Sequence, residues 1–229
     1  VKRFWREVTL GEAAGGWQVL LDGRPVRTQG GAAQIVPRHA LAEILAQEWA
    51  AQGETVDPGS FPMRDLTDLA LDHVAPDPAR QATSLLRYAQ TDTLLYRADP
   101  DEPLHRRQLE RWEPLVQALE ARYGIAFERI SGVMPRPQPA ATLDTLRGVL
   151  LDQDAWHLAA IATLAPLGAS LIVALAALDP EASPEDLFAA ANLEEDWQVE
   201  LWGQDEDAAR VRAAREAAFA AATRFARLA

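Results

Sequence analysis

Two runs of carboxylates are the groups in this chain best equipped for chemistry: Glu194-Glu195-Asp196 and Asp205-Glu206-Asp207. Paired carboxylates can trade a proton as general acid and base, or hold a hard cation through oxygen. A carboxylate-based or metal-dependent enzyme built on these 194–207 clusters, with Glu194, Glu195 and Asp205 as its working groups, is therefore one reading. Charge runs beside an apolar helix face are more often a solvated exterior. Other chemistry is thinner. His39, His73, His105 and His157 are scattered, none at metal-ligand spacing from another, and no zincin pair is present. Gly15-Gly16 and Gly30-Gly31 lack the Lys-Ser/Thr of a phosphate loop and the spacing of a dinucleotide fingerprint, so they read as turns. No Gly-x-Ser-x-Gly elbow occurs. Cysteine is absent, which removes disulfides, thiolate metal sites and thiol catalysis and favours a reducing compartment.

Helical phasing gives the first carboxylate run a third reading. Leu193, Trp197 and Leu201 fall at i, i+4 and i+8 and predict an inward stripe. Glu194, Gln198 and Trp202 predict a parallel row beside it. A carboxylate, an amide and an indole in one row suit the recognition of another protein, since large aromatics are enriched at binding hot spots.

The elements that must position this row are of two kinds. Phe4, Val8 and Leu10 and the run Trp17 to Leu21 predict strands, and Asp22-Gly23 predicts a tight hairpin turn into a return strand over 24–28. Gln34-Ile35-Val36 predicts a further short strand. Pro37 and the spacing of Leu41, Ile44, Leu45 and Trp49 predict a helix stopped by Gly53. Past the turn-rich Asp57-Pro58-Gly59-Ser60 the pattern is helical: short helices over Leu66 to Val74 and Leu85 to Leu94, then a long one from Leu104 to Gly124. Residues 125–131 alternate as a strand that is a candidate to return to the N-terminal sheet. Pro135, Pro137 and Pro139 predict an extended connection before helices resume near Thr142. The expected class is α+β: a small N-terminal antiparallel sheet domain with one helix (1–60, with 125–131 as its candidate extra strand), then a larger multihelical domain (61–229).

A length of 229 residues can bury a substantial core, and 48% hydrophobic with 24% charged residues is an ordinary globular balance. The formal net charge of −12 disfavours nucleic acid or anionic lipid as a partner. From Ala155 to Leu178 no Asp, Glu, Lys or Arg occurs, long enough to span a bilayer. Pro166 and Gly168 interrupt it, both flanks are acidic and no cation sets an orientation, so a buried helical hairpin or broken helix is expected, without membrane insertion. Val1 to Trp5 lead directly into strand-like sequence, which gives secretion no support; the bacterial cytoplasm or, for an organellar protein, the mitochondrial matrix is expected.

Residues 192–207, Asn-Leu-Glu-Glu-Asp-Trp-Gln-Val-Glu-Leu-Trp-Gly-Gln-Asp-Glu-Asp, resemble the C-terminal block of the assembly chaperones for the alpha subunit of F-type ATP synthase, the family of mitochondrial ATPase assembly factor 2 and its bacterial relatives. The resemblance continues, in family order, through Leu-Asp-Gly-Arg-Pro-Val-Arg-Thr (21–28), Glu-Trp-Ala-Ala-Gln-Gly-Glu (48–54), Tyr-Ala-Gln-Thr-Asp-Thr-Leu-Leu-Tyr-Arg (88–97), Arg-Gln-Leu-Glu-Arg-Trp-Glu-Pro-Leu (107–115) and Gly-Val-Met-Pro-Arg-Pro-Gln-Pro (132–139). It implies a two-part protein that binds the unassembled alpha subunit until its beta partner takes over, with no catalysis, cofactor or metal. Carried over by position, the family's acidic residue maps onto Glu194 or Glu195, with Gln198 and Trp202 beside it. With the second carboxylate run included, the candidate partner-binding residues are Glu194, Glu195, Gln198, Trp202 and Asp205. One departure stands out: where the family commonly has Gly-Ser in the broken apolar helix, this chain has Ala169-Ser170.

Overall fold

A computed structural model describes residues 1–132 and 136–229. The architecture is α+β. Strands β1 (Val8–Ala13), β2 (Gly16–Leu21) and β3 (Arg24–Pro25) form an antiparallel meander in that order. Its register runs from Val8 opposite Leu21 to Ala13 opposite Gly16. Asp22 and Gly23 turn β2 into β3 with φ of 48° and 78°, the left-handed pair that a two-residue hairpin requires. Asp22 is also held from outside the turn, because its carboxylate accepts the backbone N–H of Arg6 at 3.0 Å and of Glu7 at 2.8 Å.

The return strand is shorter than the expected 24–28. After Pro25, Val26 still donates to the Val19 carbonyl at 2.9 Å, but Thr28 turns away and donates its hydroxyl to Asp72 at 2.7 Å. Residues 34–36 contribute only a bridge between Val36 and Trp17. Helix α1 (His39–Ala50) lies across the sheet and buries Leu41, Ala42 and Leu45, at ~2 kcal/mol for each leucine removed from water.

Helix α2 (Pro62–Asp68) continues without a break into a π-helical turn over Leu69–Val74. This junction joins the sheet unit to the helices. Asp68 accepts from the Gln34 amide at 2.7 Å and from Gln29 N–H at 3.1 Å; Asp72 accepts from Gly30 N–H at 2.8 Å. From α1, Glu48 accepts the N–H groups of Met63 at 2.7 Å and Arg64 at 2.9 Å, the open donors at the start of α2.

The remaining helices are α3 (Pro78–Leu85), α4 (Arg87–Gln90), α5 (Pro103–Tyr123), α6 (Ala140–Leu151), α7 (Ala155–Gly168), α8 (Leu171–Ala176), α9 (Pro184–Ala191), α10 (Leu193–Trp202) and α11 (Glu206–Leu228). Gly124 closes α5 in the left-handed conformation, φ 64°. The expected strand over 125–131 is reduced to β5 (Ile130–Ser131). It pairs in parallel with β4 (Tyr96–Arg97) and not with the N-terminal sheet. The reason is local: α5 carries the chain away from the sheet, and Arg129 is held against that helix by Glu113 at 2.7 Å and by Glu120. Of the three prolines before α6, Pro135 lies outside the described residues, and Pro137 and Pro139 sit in irregular chain.

The uncharged stretch folds as a broken helix inside the protein, as expected from Pro166 and Gly168. Helix α7 packs on α11, α8, α3 and the π-helical turn, with Leu158, Ile161 and Leu164 fully buried. Ala169 reverses direction at φ 45°, and α8 returns with Leu171 to Leu175 all buried. Among the described residues no helix is long and apolar enough to cross a membrane. One apolar core runs from Trp5 and Val19 of the sheet unit through Trp112, Phe188, Phe219 and Phe225 of the helices.

Candidate functional site

Asn192 sets the start of α10. It closes α9, its side-chain Nδ2 donating to the Phe188 carbonyl at 2.8 Å, while its side-chain Oδ1 accepts from Arg215 at 2.6 Å. Helix α10 then leaves the core almost at once. Leu193 is its one buried residue. The expected inward stripe therefore fails beyond its first member: Trp197 is half-buried and Leu201 is 55% exposed. Apolar burial anchors the helix at its N-terminal end only, so a stripe read from spacing alone turns toward solvent along its length.

Polar contacts do for α10 what apolar burial does elsewhere. Glu194 accepts from the Gln108 amide at 2.8 Å, and Gln108, fully buried on α5, accepts in turn from Ala98 N–H at 2.8 Å. Although Glu194 as a residue is exposed, burial of its carboxyl tip against α5 pushes the pKa above the usual range, opposed by the Gln108 hydrogen bond. Glu195 accepts from Arg215 at 3.1 Å, with Arg212 at 3.6 Å. Asp196 accepts from one terminal nitrogen of Arg212, Nη2, with both of its carboxylate oxygens, at 2.7 and 3.0 Å. Partial burial raises the Asp196 pKa, opposed by the Arg212 charge. Glu200 pairs with Arg107 at 2.7 Å, and the same guanidinium lies 4.7 Å from the Trp197 ring centre. Arg212 and Arg215, one turn apart on α11, also lie over the Phe188 ring, at 5.4 and 5.8 Å.

The five residues singled out from the sequence thus divide. Glu194 and Glu195 are engaged by Gln108 and Arg215. Asp205 caps α11, accepting Ala208 N–H at 2.8 Å. Gln198 and Trp202 face solvent, Trp202 with 78% of its surface exposed. Leu201 and Val211, at 55% and 58%, add apolar surface on the α10–α11 hairpin. Two grooves flank α10. One, of about 610 Å³, runs between α5, α9 and α10 past Arg107, Arg111, Asp186 and Asp196. The other, of about 340 Å³, holds Tyr96, Asp99, Leu104, Trp197 and Gln198.

Phasing along α10 could not reveal the groups that hold it, Arg107, Gln108, Arg212 and Arg215. They are distant in sequence, and only the paired arginines on one face of α11 hinted at an acidic neighbour. For acid–base or metal chemistry the carboxylates are poorly placed, since guanidinium or amide donors occupy those of α10 and a backbone N–H occupies Asp205. Among the described residues no group of three or more His, Cys, Asp or Glu side chains is arranged to hold a metal ion.

A solvent-facing aromatic on the α10–α11 hairpin suits the recognition of another protein, and comparison with known proteins places the chain among chaperones. The chain superposes on crystal structures of Atp12 from Paracoccus denitrificans (TM-score 0.93, 37% identity, 99% of this chain and 97% of that one) and of a chaperone-like protein from Agrobacterium tumefaciens (TM-score 0.94, 36% identity, 99% and 85%). The mitochondrial atp12 protein of Schizosaccharomyces pombe is 28% identical over 219 residues, covering 90% of this chain and 75% of the relative. The profile of the ATP12 chaperone protein family matches residues 2–120. The chain belongs to the ATP12 chaperone family.

Proposed function

We propose that this ATP12-family chaperone binds the unassembled alpha subunit of F-type ATP synthase and holds it until the catalytic head is assembled, in the bacterial cytoplasm or, for an organellar protein, in the mitochondrial matrix. The observation that carries the reading is the α10–α11 hairpin, which leaves Leu201 and Trp202, inside the segment that resembles the family block, and Val211 just beyond it in water. An unassembled subunit exposes apolar interface, and a holder must cover it reversibly with apolar surface of its own. The surrounding charge disfavours other like-charged partners and tunes release.

The test is direct. Isolated alpha subunit is incubated with the purified chain at increasing ratio, and light scattering follows aggregation. Suppression near equimolar ratio, together with co-elution of the two proteins, is expected. Unchanged aggregation with no co-elution would remove the alpha subunit as client.

A further inference from the structure

Each carboxylate on α10 has a partner within the chain, and those partners come from two other helices. Arg107 and Gln108 reach it from α5, Arg212 and Arg215 from α11. The helix buries one side chain, Leu193, against nine residues that stay exposed or half-exposed. A ten-residue helix with so little apolar anchorage is marginal by itself. Its place is therefore set by these four polar contacts more than by packing.

We propose that Arg107, Gln108, Arg212 and Arg215 are positioning residues for client binding. In this assignment the acidic run of α10 does not meet the client with its charges; it locks the helix so that Gln198, Leu201 and Trp202, together with the exposed Val211 of α11, form the contact surface. The inference rests on the client proposed above and adds how the site is held and what it touches. The matching partner surface has stated chemistry. Leu201, Trp202 and Val211 call for an apolar patch. The rim of this hairpin, Asp205, Glu206 and Asp207 with one arginine, Arg210, pairing Asp207 at 2.5 Å, calls for basic groups at the edge of that patch.

Glu195→Lys shows why position and contact must be separated. A lysine there faces Arg212 and Arg215, so it would displace α10 whether or not the glutamate ever touched a client. The arrangement offers two pairs that can be reversed. Arg107→Glu sets a carboxylate against Glu200 at the exposed end of α10; adding Glu200→Arg restores attraction. Gln108→Glu sets a carboxylate against Glu194; adding Glu194→Gln restores one donor facing one acceptor and keeps the acceptor for Ala98 N–H.

The experiment measures two properties of the full chain and these four variants: hydrogen exchange of α10 without client, and holding of isolated alpha subunit at low and high salt. Each single variant is expected to speed α10 exchange severalfold, with α7 unchanged, and to weaken holding, and each second change to return both. Holding by the wild type is expected to weaken with salt, as a basic-rimmed partner requires. Normal α10 exchange in both single variants would overturn the proposal, as would reversed pairs that recover exchange but not holding, or holding indifferent to salt. If the wild type fails to hold the alpha subunit, the client is wrong, and the exchange data alone decide whether these residues position α10. Should Gln108→Glu loosen the core, seen as faster exchange in α7, the exposed Arg107–Glu200 pair decides the matter.

Discussion

Thr93 grips the carbonyl of Ala169 with two donors, its backbone N–H at 3.1 Å and its hydroxyl at 3.0 Å. Ala169 stands at the turn between α7 and α8 with φ 45° and ψ 36°, a left-handed conformation that costs a residue bearing a Cβ about 1–2 kcal/mol. The family resemblance places a glycine here. Ala169→Gly relieves the strain and gives back part of the gain through the greater freedom of unfolded glycine. A net stabilisation of about 1 kcal/mol is expected, read as a higher urea midpoint at unchanged slope. A lower midpoint would show that the turn is not strained.

Glu48 caps a helix to which it does not belong. Its carboxylate takes the first open donors of α2, those of Met63 and Arg64, and so ties α1 to α2. Glu48→Ala leaves both N–H groups unpaired in a partly buried place. A loss of about 1–3 kcal/mol follows, visible in thermal unfolding as a single transition at lower temperature. An unchanged Tm would mean that water replaces the carboxylate there at no cost.

What could be read from the sequence was what neighbouring residues decide. Asp22-Gly23 dictates its turn by φ alone, Gly124 ends α5 for the same reason, and Pro166 with Gly168 marks the end of α7. What could not be read depends on residues far apart. Ile130 pairs with Tyr96 because Arg129 is caught by Glu113 and Glu120, and no local pattern announces that. Trp197 and Leu201 fit an inward stripe by spacing, yet Trp197 is only half-buried and Leu201 is exposed, because α10 lies at the edge of the body. The family block marked Glu194 and Glu195, but their partners Gln108 and Arg215 lie 86 and 20 residues away.

Asp92 supplies a pH dependence with a definite sign. The side chain is fully buried, and its two oxygens accept Leu94 N–H at 3.1 Å and Ile172 N–H at 2.9 Å. Burial pushes its pKa up to about 6, against the pull of these hydrogen bonds. The unfolded chain gives up this proton near pH ~4, before the folded protein does. Between these values the folded state binds more protons, so the Asp92 contribution to stability is full below about pH 4 and falls as pH rises through about 6. The difference amounts to about 3 kcal/mol at most. Wild type measured against Asp92→Asn by urea unfolding should lose relative stability over that window. A relative gain with rising pH would mean that the N–H donors outweigh burial and keep the carboxylate charged.

Trp202→Ala separates surface from scaffold. With 78% of the residue in water and its helix ending at the next position, the indole contributes little to folding, and a stability change within about 0.5 kcal/mol is expected. If Trp202 lies at the centre of the client surface, its removal costs about 2 kcal/mol or more of association. That is roughly a thirtyfold weaker complex with isolated alpha subunit, measurable by titration calorimetry or by the ratio needed to suppress aggregation. Leu201→Ala should follow in the same direction with a smaller loss, since less area leaves the contact. The informative comparison is with Arg107→Glu. That change weakens the complex by letting α10 move, so it must speed exchange in α10, whereas Trp202→Ala must leave exchange in the first turns of α10 unchanged. If Trp202→Ala leaves affinity intact while Arg107→Glu destroys it, the client meets another face of α10, and the groove past Arg111 and Asp186 becomes the surface to mutate next.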